Sequence, residues 1–154
     1  TDSTRFATYQ LASMHGATSI AIKFSQLLGF GGTTHALAHG WNKPGGAEKL
    51  GKWDQWQAEN LTYFLDKLAA VQEGNNTLLD NTVVLYGSSN SNTHNNLNYP
   101  IVLAGGKNHG LKHGGHHRFD KTVPLSNLYL TLLHRMGIDE KRFADSNGEM
   151  TRLV

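Results

Sequence analysis

The chain has 154 residues with a formal net charge of +2, 38% hydrophobic and 17% charged, and it contains no cysteine. That excludes disulfides, thiolate metal sites and thiol catalysis, and the scattered lysines and arginines form no basic stripe of the kind a nucleic-acid surface needs. No apolar run approaches the ~20 residues of a membrane span, so no such span is expected. The unusual residue is histidine: there are nine, and most fall in glycine- and asparagine-rich segments rather than in apolar ones.

In chain order, Phe6-Ala7-Thr8-Tyr9-Gln10-Leu11 has the alternating character of a strand. A polar, glycine-rich passage follows over residues 13–46, with a short helix expected at 20–28. Residues 47–71 carry the strongest helix signal. Leu50, Trp53, Leu61, Phe64, Leu65, Leu68 and Val71 recur mostly at intervals of three and four, which puts Leu61, Phe64, Leu65 and Leu68 on a buried face. Gly74-Asn75-Asn76 closes that segment. Thr82-Val83-Val84-Leu85-Tyr86 reads as a buried, parallel-type strand, and Pro100–Gly106 as a second one. Pro124 opens a last helix with Leu125, Leu128, Leu132 and Met136 on one side, and Gly137 stops it. The expected architecture is therefore an α/β layered sandwich with a mostly parallel sheet, in which ligands collect beyond the carboxyl ends of the strands.

Several side chains on these loops have the chemistry of a site. His35 and His39 stand in Thr34-His35-Ala36-Leu37-Ala38-His39-Gly40, and an i, i+4 pair on a helix can chelate one metal through two imidazoles. Ala36 occupies the place where the zinc-protease pattern requires Glu, so that motif is absent. His94 follows the first buried strand by a few residues, just past the polar cluster Ser88-Ser89-Asn90. His109-Gly110-Leu111-Lys112-His113-Gly114-Gly115-His116-His117 is a short histidine-rich tract whose Lys112, His113 and His116 suit an anion, with Ser88, Ser89 and Asn90 as further anion-binding candidates. Such a tract can also collect metal by itself. No Gly-x-Ser-x-Gly elbow, phosphate loop or dinucleotide fingerprint is present, and Asp54, Glu59 and Asp66 read as the solvated face of the long helix.

The succession of segments resembles a known family. Thr1-Asp2-Ser3-Thr4-Arg5, the His35/His39 segment, Thr77-Leu78-Leu79-Asp80-Asn81-Thr82, Leu85-Tyr86-Gly87-Ser88, Asn92-Thr93-His94, Pro100–Gly106, Lys112-His113-Gly114 and Leu132–Gly137 are similar to the C-terminal part of the bacterial domain-of-unknown-function family 1552. That family in turn resembles an outlying branch of the alkaline-phosphatase and sulfatase superfamily. The resemblance implies that residues 1–154 are the C-terminal portion of one alkaline-phosphatase-like domain, with the nucleophile and further ligands on an N-terminal part upstream of Thr1. It also implies export to the periplasm or the cell exterior. The implied function is metal-dependent hydrolysis of a phosphate or sulfate ester, with His35, His39 and His94 as ligands of a divalent ion such as zinc and a small-molecule ester or anion as partner. His94 and Pro100 match a superfamily element, and His35-x-x-x-His39 stands where an Asp-x-x-x-His is usual. Gly87-Ser88-Ser89-Asn90 stands where the superfamily has an Asp-His pair, and this departure opens the alternative of a catalytically inactive binding or structural protein.

Overall fold

The computed structural model describes residues 4–10, 27–92 and 94–154. They divide into two compact units, Thr1–Leu61 and Thr62–Val154. Among the described residues of the first stretch, 4–10 form no strand, and most of the short helix expected at 20–28 lies outside the described residues.

In the first unit, helix α1 (Thr34–His39) starts at Thr33, whose hydroxyl accepts from the Ala36 backbone N–H at 3.1 Å. That is the usual N-cap, supplying an acceptor to a donor the helix cannot satisfy internally. Leu37 is the buried residue of this helix. Helix α2 (Gly46–Ala70) matches the expected long helix within a residue at each end, and its first unit-one turns bury Trp53. Gln55–Glu59 and Lys52–Glu48 are i, i+4 pairs on its exposed surface.

The second unit opens on the remainder of α2, where the expected buried face is only partly realised. Leu65 and Leu68 are half-buried, but Phe64 is 49% exposed. The helix is followed by a two-residue hairpin, β1 (Gln72–Glu73) and β2 (Asn76–Thr77), with Gly74 at φ 61° in its turn. Gly74-Asn75 thus reverses the chain as well as ending the helix, because a glycine at positive φ is what tight hairpin turns require.

Strands β3 (Val83–Gly87) and β4 (Ile101–Gly105) pair antiparallel, Val83 opposite Gly105 and Gly87 opposite Ile101. This overturns the expected mostly parallel α/β sandwich. The described residues hold two two-stranded antiparallel sheets and no parallel pair. The physical reason lies in the connection. A parallel neighbour needs a crossover back along the sheet, usually through a helix. The described residues of 88–100 form no helix and instead fold back at a tight turn, so β4 leaves from the end at which β3 stops. A short apolar run does not distinguish a strand buried on both faces from one that is half-buried, and β3 is half-buried.

Beyond β4 the chain makes a turn that only glycine fits. Gly105 and Gly106 both have positive φ, 68° and 67°, and a Cβ on Gly105 would collide with the carbonyl oxygen of Thr82. A Cβ on Gly106 would lie 2.7 Å from Val83 and 2.8 Å from Leu111. The closeness lets the Gly106 N–H reach the Leu79 carbonyl at 3.0 Å and the Asn108 N–H reach that of Asp80 at 3.0 Å.

Helix α3 (Ser126–Arg135) ends in a Schellman motif: Ile138 N–H bonds the Leu133 carbonyl and Gly137 N–H the His134 carbonyl, with Gly137 at φ 80°. Leu128 with Met150 and Leu153 forms the core of the unit, packed by Leu85, Ile101, Leu103, Phe119, Val123, Leu125 and Leu132. The tail is tied to α3 by polar groups as well. Ser126 Oγ donates to Asp145 at 2.6 Å, and Asn127 exchanges two hydrogen bonds with Asn147. Thr131, fully buried, donates to the Asn127 carbonyl and accepts from the Met150 N–H at 2.8 Å. Among the described residues no buried side-chain nitrogen or oxygen lacks a partner.

Two substitutions test this arrangement. Gly105→Ala should lower the free energy of unfolding by about 2 kcal/mol or more, because the new Cβ is both strained at positive φ and in collision with the backbone. Thr131→Val should cost about 1–3 kcal/mol, since the Met150 N–H loses its acceptor in a buried place, while Thr131→Ser keeps the acceptor and loses less. Urea titrations of the three variants against the parent chain measure both.

Candidate functional site

In the first unit, capping by Thr33 makes residues 34–39 helical, and the spacing of four then sets His35 and His39 on the same face. Their rings are 4.5 Å apart between centroids and tilted by 54°, and both residues are exposed. By sequence this pair falls in a polar, glycine-rich passage where no helix is expected; the helix at 34–39 is what gives the i, i+4 spacing its meaning.

In the second unit, His94 lies in the connection between β3 and β4. The Asn95 N–H bonds the Asn92 carbonyl at 2.7 Å, the Ser91 N–H bonds the Asn95 carbonyl at 2.9 Å, and His94 sits inside that turn at φ 54°. Positive φ is unusual for a residue with a Cβ and is more readily taken by Asn, Asp and His than by most others. Ser88, Ser89 and Asn90 belong to the same connection, at the carboxyl end of β3, and the Asn90 N–H bonds Ser88 Oγ at 3.2 Å. The described residues thus include three exposed imidazole ligands, His35, His39 and His94, enough to hold a metal ion.

The histidine-rich tract divides differently from its sequence pattern. Lys112 donates its ammonium to the Val154 carbonyl at 2.7 Å, and its backbone N–H bonds the Leu153 carbonyl, so its role is to fasten the tail. His113 Nε2 meets the Gly105 carbonyl at 2.5 Å, bracing the glycine turn after β4. His116 is exposed, and the His117 ring lies 6.4 Å from that of Phe119. His109 spans two backbone carbonyls, Nδ1 to Arg135 at 3.1 Å and Nε2 to Asn81 at 3.1 Å, joining the C-terminal end of α3 to the segment before β3.

One histidine that no sequence pattern singles out is His134. Its Nε2 is 2.7 Å from the Glu140 carbonyl and its Nδ1 is 3.0 Å from the Glu149 carboxylate. Both ring nitrogens face acceptors, which only the doubly protonated ring can satisfy. The Glu140 carbonyl first, then the hydrogen bond to Glu149, raises its pKa above the ordinary histidine value, against a smaller desolvation penalty. Both acceptors lie C-terminal to the helix that carries the histidine, and no periodicity reports such a pairing.

Asp80 and Asp120 are also committed to local structure. Asp80 accepts from the N–H and hydroxyl of Thr77, and Asp120 from those of Thr122, and these hydrogen bonds lower both pKa values. Comparison with family models, with curated proteins and with solved structures finds no match for this chain.

The His134 geometry gives a pH dependence with a definite sign. A pKa raised on folding contributes stability that is fully present below the unfolded value, about 6.5, and is lost as pH rises through the higher folded value. The thermal midpoint of the parent chain should therefore exceed that of His134→Gln by a constant margin in mild acid, and the margin should shrink on the alkaline side. Melting curves of both proteins across that range read the difference, in which the contributions of Asp80 and Asp120 cancel.

Proposed function

We propose that this chain binds a late first-row transition metal, zinc first among them, through His35, His39 and His94, and that the bound metal serves the hydrolysis of a phosphate or sulfate ester. The observation that carries the reading is the His35–His39 pair, two imidazoles one helical turn apart on the exposed face of α1. Neutral imidazole nitrogens suit zinc, copper or nickel, whereas magnesium and calcium prefer the oxygen ligands that this set lacks. His94 is proposed as third ligand because its position beyond a strand's carboxyl end, six residues ahead of Pro100, is the element that the family resemblance assigns to metal binding. Three histidines leave a coordination position for water or substrate, as in catalytic zinc sites, and a metal so held supplies Lewis-acid polarisation of an ester oxygen. Ser88, Ser89 and Asn90 offer hydroxyl and amide groups to the ester's anionic oxygens from the same connection as His94.

The competing reading is an inactive binding or structural protein. It is favoured by the same Ser88-Ser89-Asn90 cluster, which supplies no carboxylate or imidazole where the superfamily places two ligands. Export to the periplasm or the cell exterior remains part of the proposal on the resemblance alone.

Calorimetry with zinc should show stoichiometric binding by the parent chain, abolished in His94→Ala and retained in a His116→Ala/His117→Ala double variant. His94→Asn, which tolerates the left-handed turn, should also lose binding, separating the ligand from the conformation. The reverse pattern assigns the metal to the histidine-rich tract and sinks the three-histidine site. With metal bound, turnover of an aryl phosphate or aryl sulfate supports the hydrolase, and binding without turnover of either supports the inactive reading.

A further inference from the structure

A cavity of about 310 Å³ opens in the second unit between the segment 118–123, the start of α3 and the tail residues 149–152. It is separate in sequence and chemistry from the histidines proposed as metal ligands. Phe119, Val123 and Met150 give it an apolar wall that continues into the core around Leu128. Arg118 and Arg152 also line it. Both are exposed, and neither has an ion-pair or hydrogen-bond partner among the described residues.

Each of the two carboxylates lining the cavity has one oxygen engaged by a neighbour. Asp120 accepts both the N–H and the hydroxyl of Thr122, at 2.9 and 2.7 Å, and Glu149 is held by the His134 ring at 3.0 Å. The formal charges around the cavity cancel, yet the hydrogen-bonding capacity does not. Asp120 Oδ1 and Glu149 Oε1 are engaged with their own neighbours, while two guanidiniums, ten donors between them, have no partner among the described residues. A guanidinium is built to bind a carboxylate or phosphate through two parallel hydrogen bonds. The volume is at the lower end of small-molecule sites, and an apolar wall with a few convergent polar groups is their usual composition.

We propose that this cavity is a binding site for a small organic anion, a carboxylate or phosphate group on an apolar body, with Arg118 and Arg152 holding the anionic head and Phe119, Val123 and Met150 covering the body. The site does not depend on the metal reading, and its test is run on the full chain in the presence of a chelator, so that either can fail alone.

The probes are benzoate, phenyl phosphate and, as a neutral control of similar shape, benzamide. Amide and methyl chemical shifts of the parent chain should move saturably with at least one of the two anions, largest at Phe119, Val123 and Met150, and should not move with benzamide. Which anion binds more tightly distinguishes a carboxylate from a phosphate ligand within the same proposal. Arg118→Gln and Arg152→Gln should each weaken binding about tenfold, the loss expected for one charge-assisted contact. Because neither guanidinium has a partner among the described residues, both variants should melt at the parent temperature, and the shift map shows directly whether the cavity is intact. Benzamide binding as tightly as the anions, undiminished affinity in the Arg118→Gln/Arg152→Gln double variant, or no saturable shift with either anion overturns the site.

Discussion

The second unit depends on the way α3 holds the tail. Thr131 is fully buried, and its hydroxyl is used twice, as donor to the Asn127 carbonyl and as acceptor from the Met150 N–H. That acceptor puts Met150, and with it Leu153, into the core against Leu128. On either side of it Ser126 engages Asp145 and Asn127 engages Asn147, so one helical face is bound to an irregular segment through side-chain polar groups. Such an arrangement is costly when incomplete and specific when every group is satisfied, which is the condition observed.

The two-stranded sheet β3–β4 is placed by similar devices. Its strands are too few to bury a face alone, and Leu85, Ile101 and Leu103 find cover on the α3 core instead. At its far end the Gly105–Gly106 turn brings the backbone against Leu79 and Thr82, and His113 and His109 brace the segments on either side. Histidines that a composition reading groups into one binding tract are thus put to different uses. Within that tract His109 and His113 bond backbone carbonyls and the His117 ring lies 6.4 Å from that of Phe119, while His134 on α3 bonds a carbonyl and a carboxylate.

The same distinction runs through the charged groups. Lys112, a natural anion receiver by sequence, is spent on the Val154 carbonyl. Arg118 and Arg152, unremarkable by sequence, line a cavity and have no partner among the described residues, while its two acids each have one oxygen engaged by a neighbour. Availability, rather than residue type, separates a group that fastens the fold from one that can hold a ligand, and availability is a property of the neighbours.

What the amino-acid order determined by itself is local. The three/four spacing fixed α2 almost to the residue, and Pro124 with Gly137 bracketed α3. The i, i+4 spacing of His35 and His39 acquired its meaning as soon as Thr33 capped a helix there. These features depend on interactions within one or two turns, which the sequence states directly. Strand direction, the exposure of Phe64, the buried polar face of Ser126, Asn127 and Thr131, and the pairing of His134 with Glu149 were decided only in three dimensions. A short apolar run has the same period whether its neighbour is parallel or antiparallel, and a polar side chain reads as exposed until a partner distant in sequence satisfies it. Antiparallel pairing of β3 and β4 followed from a connection without a crossover helix, and the burial of Thr131 followed from the Met150 N–H that needed an acceptor.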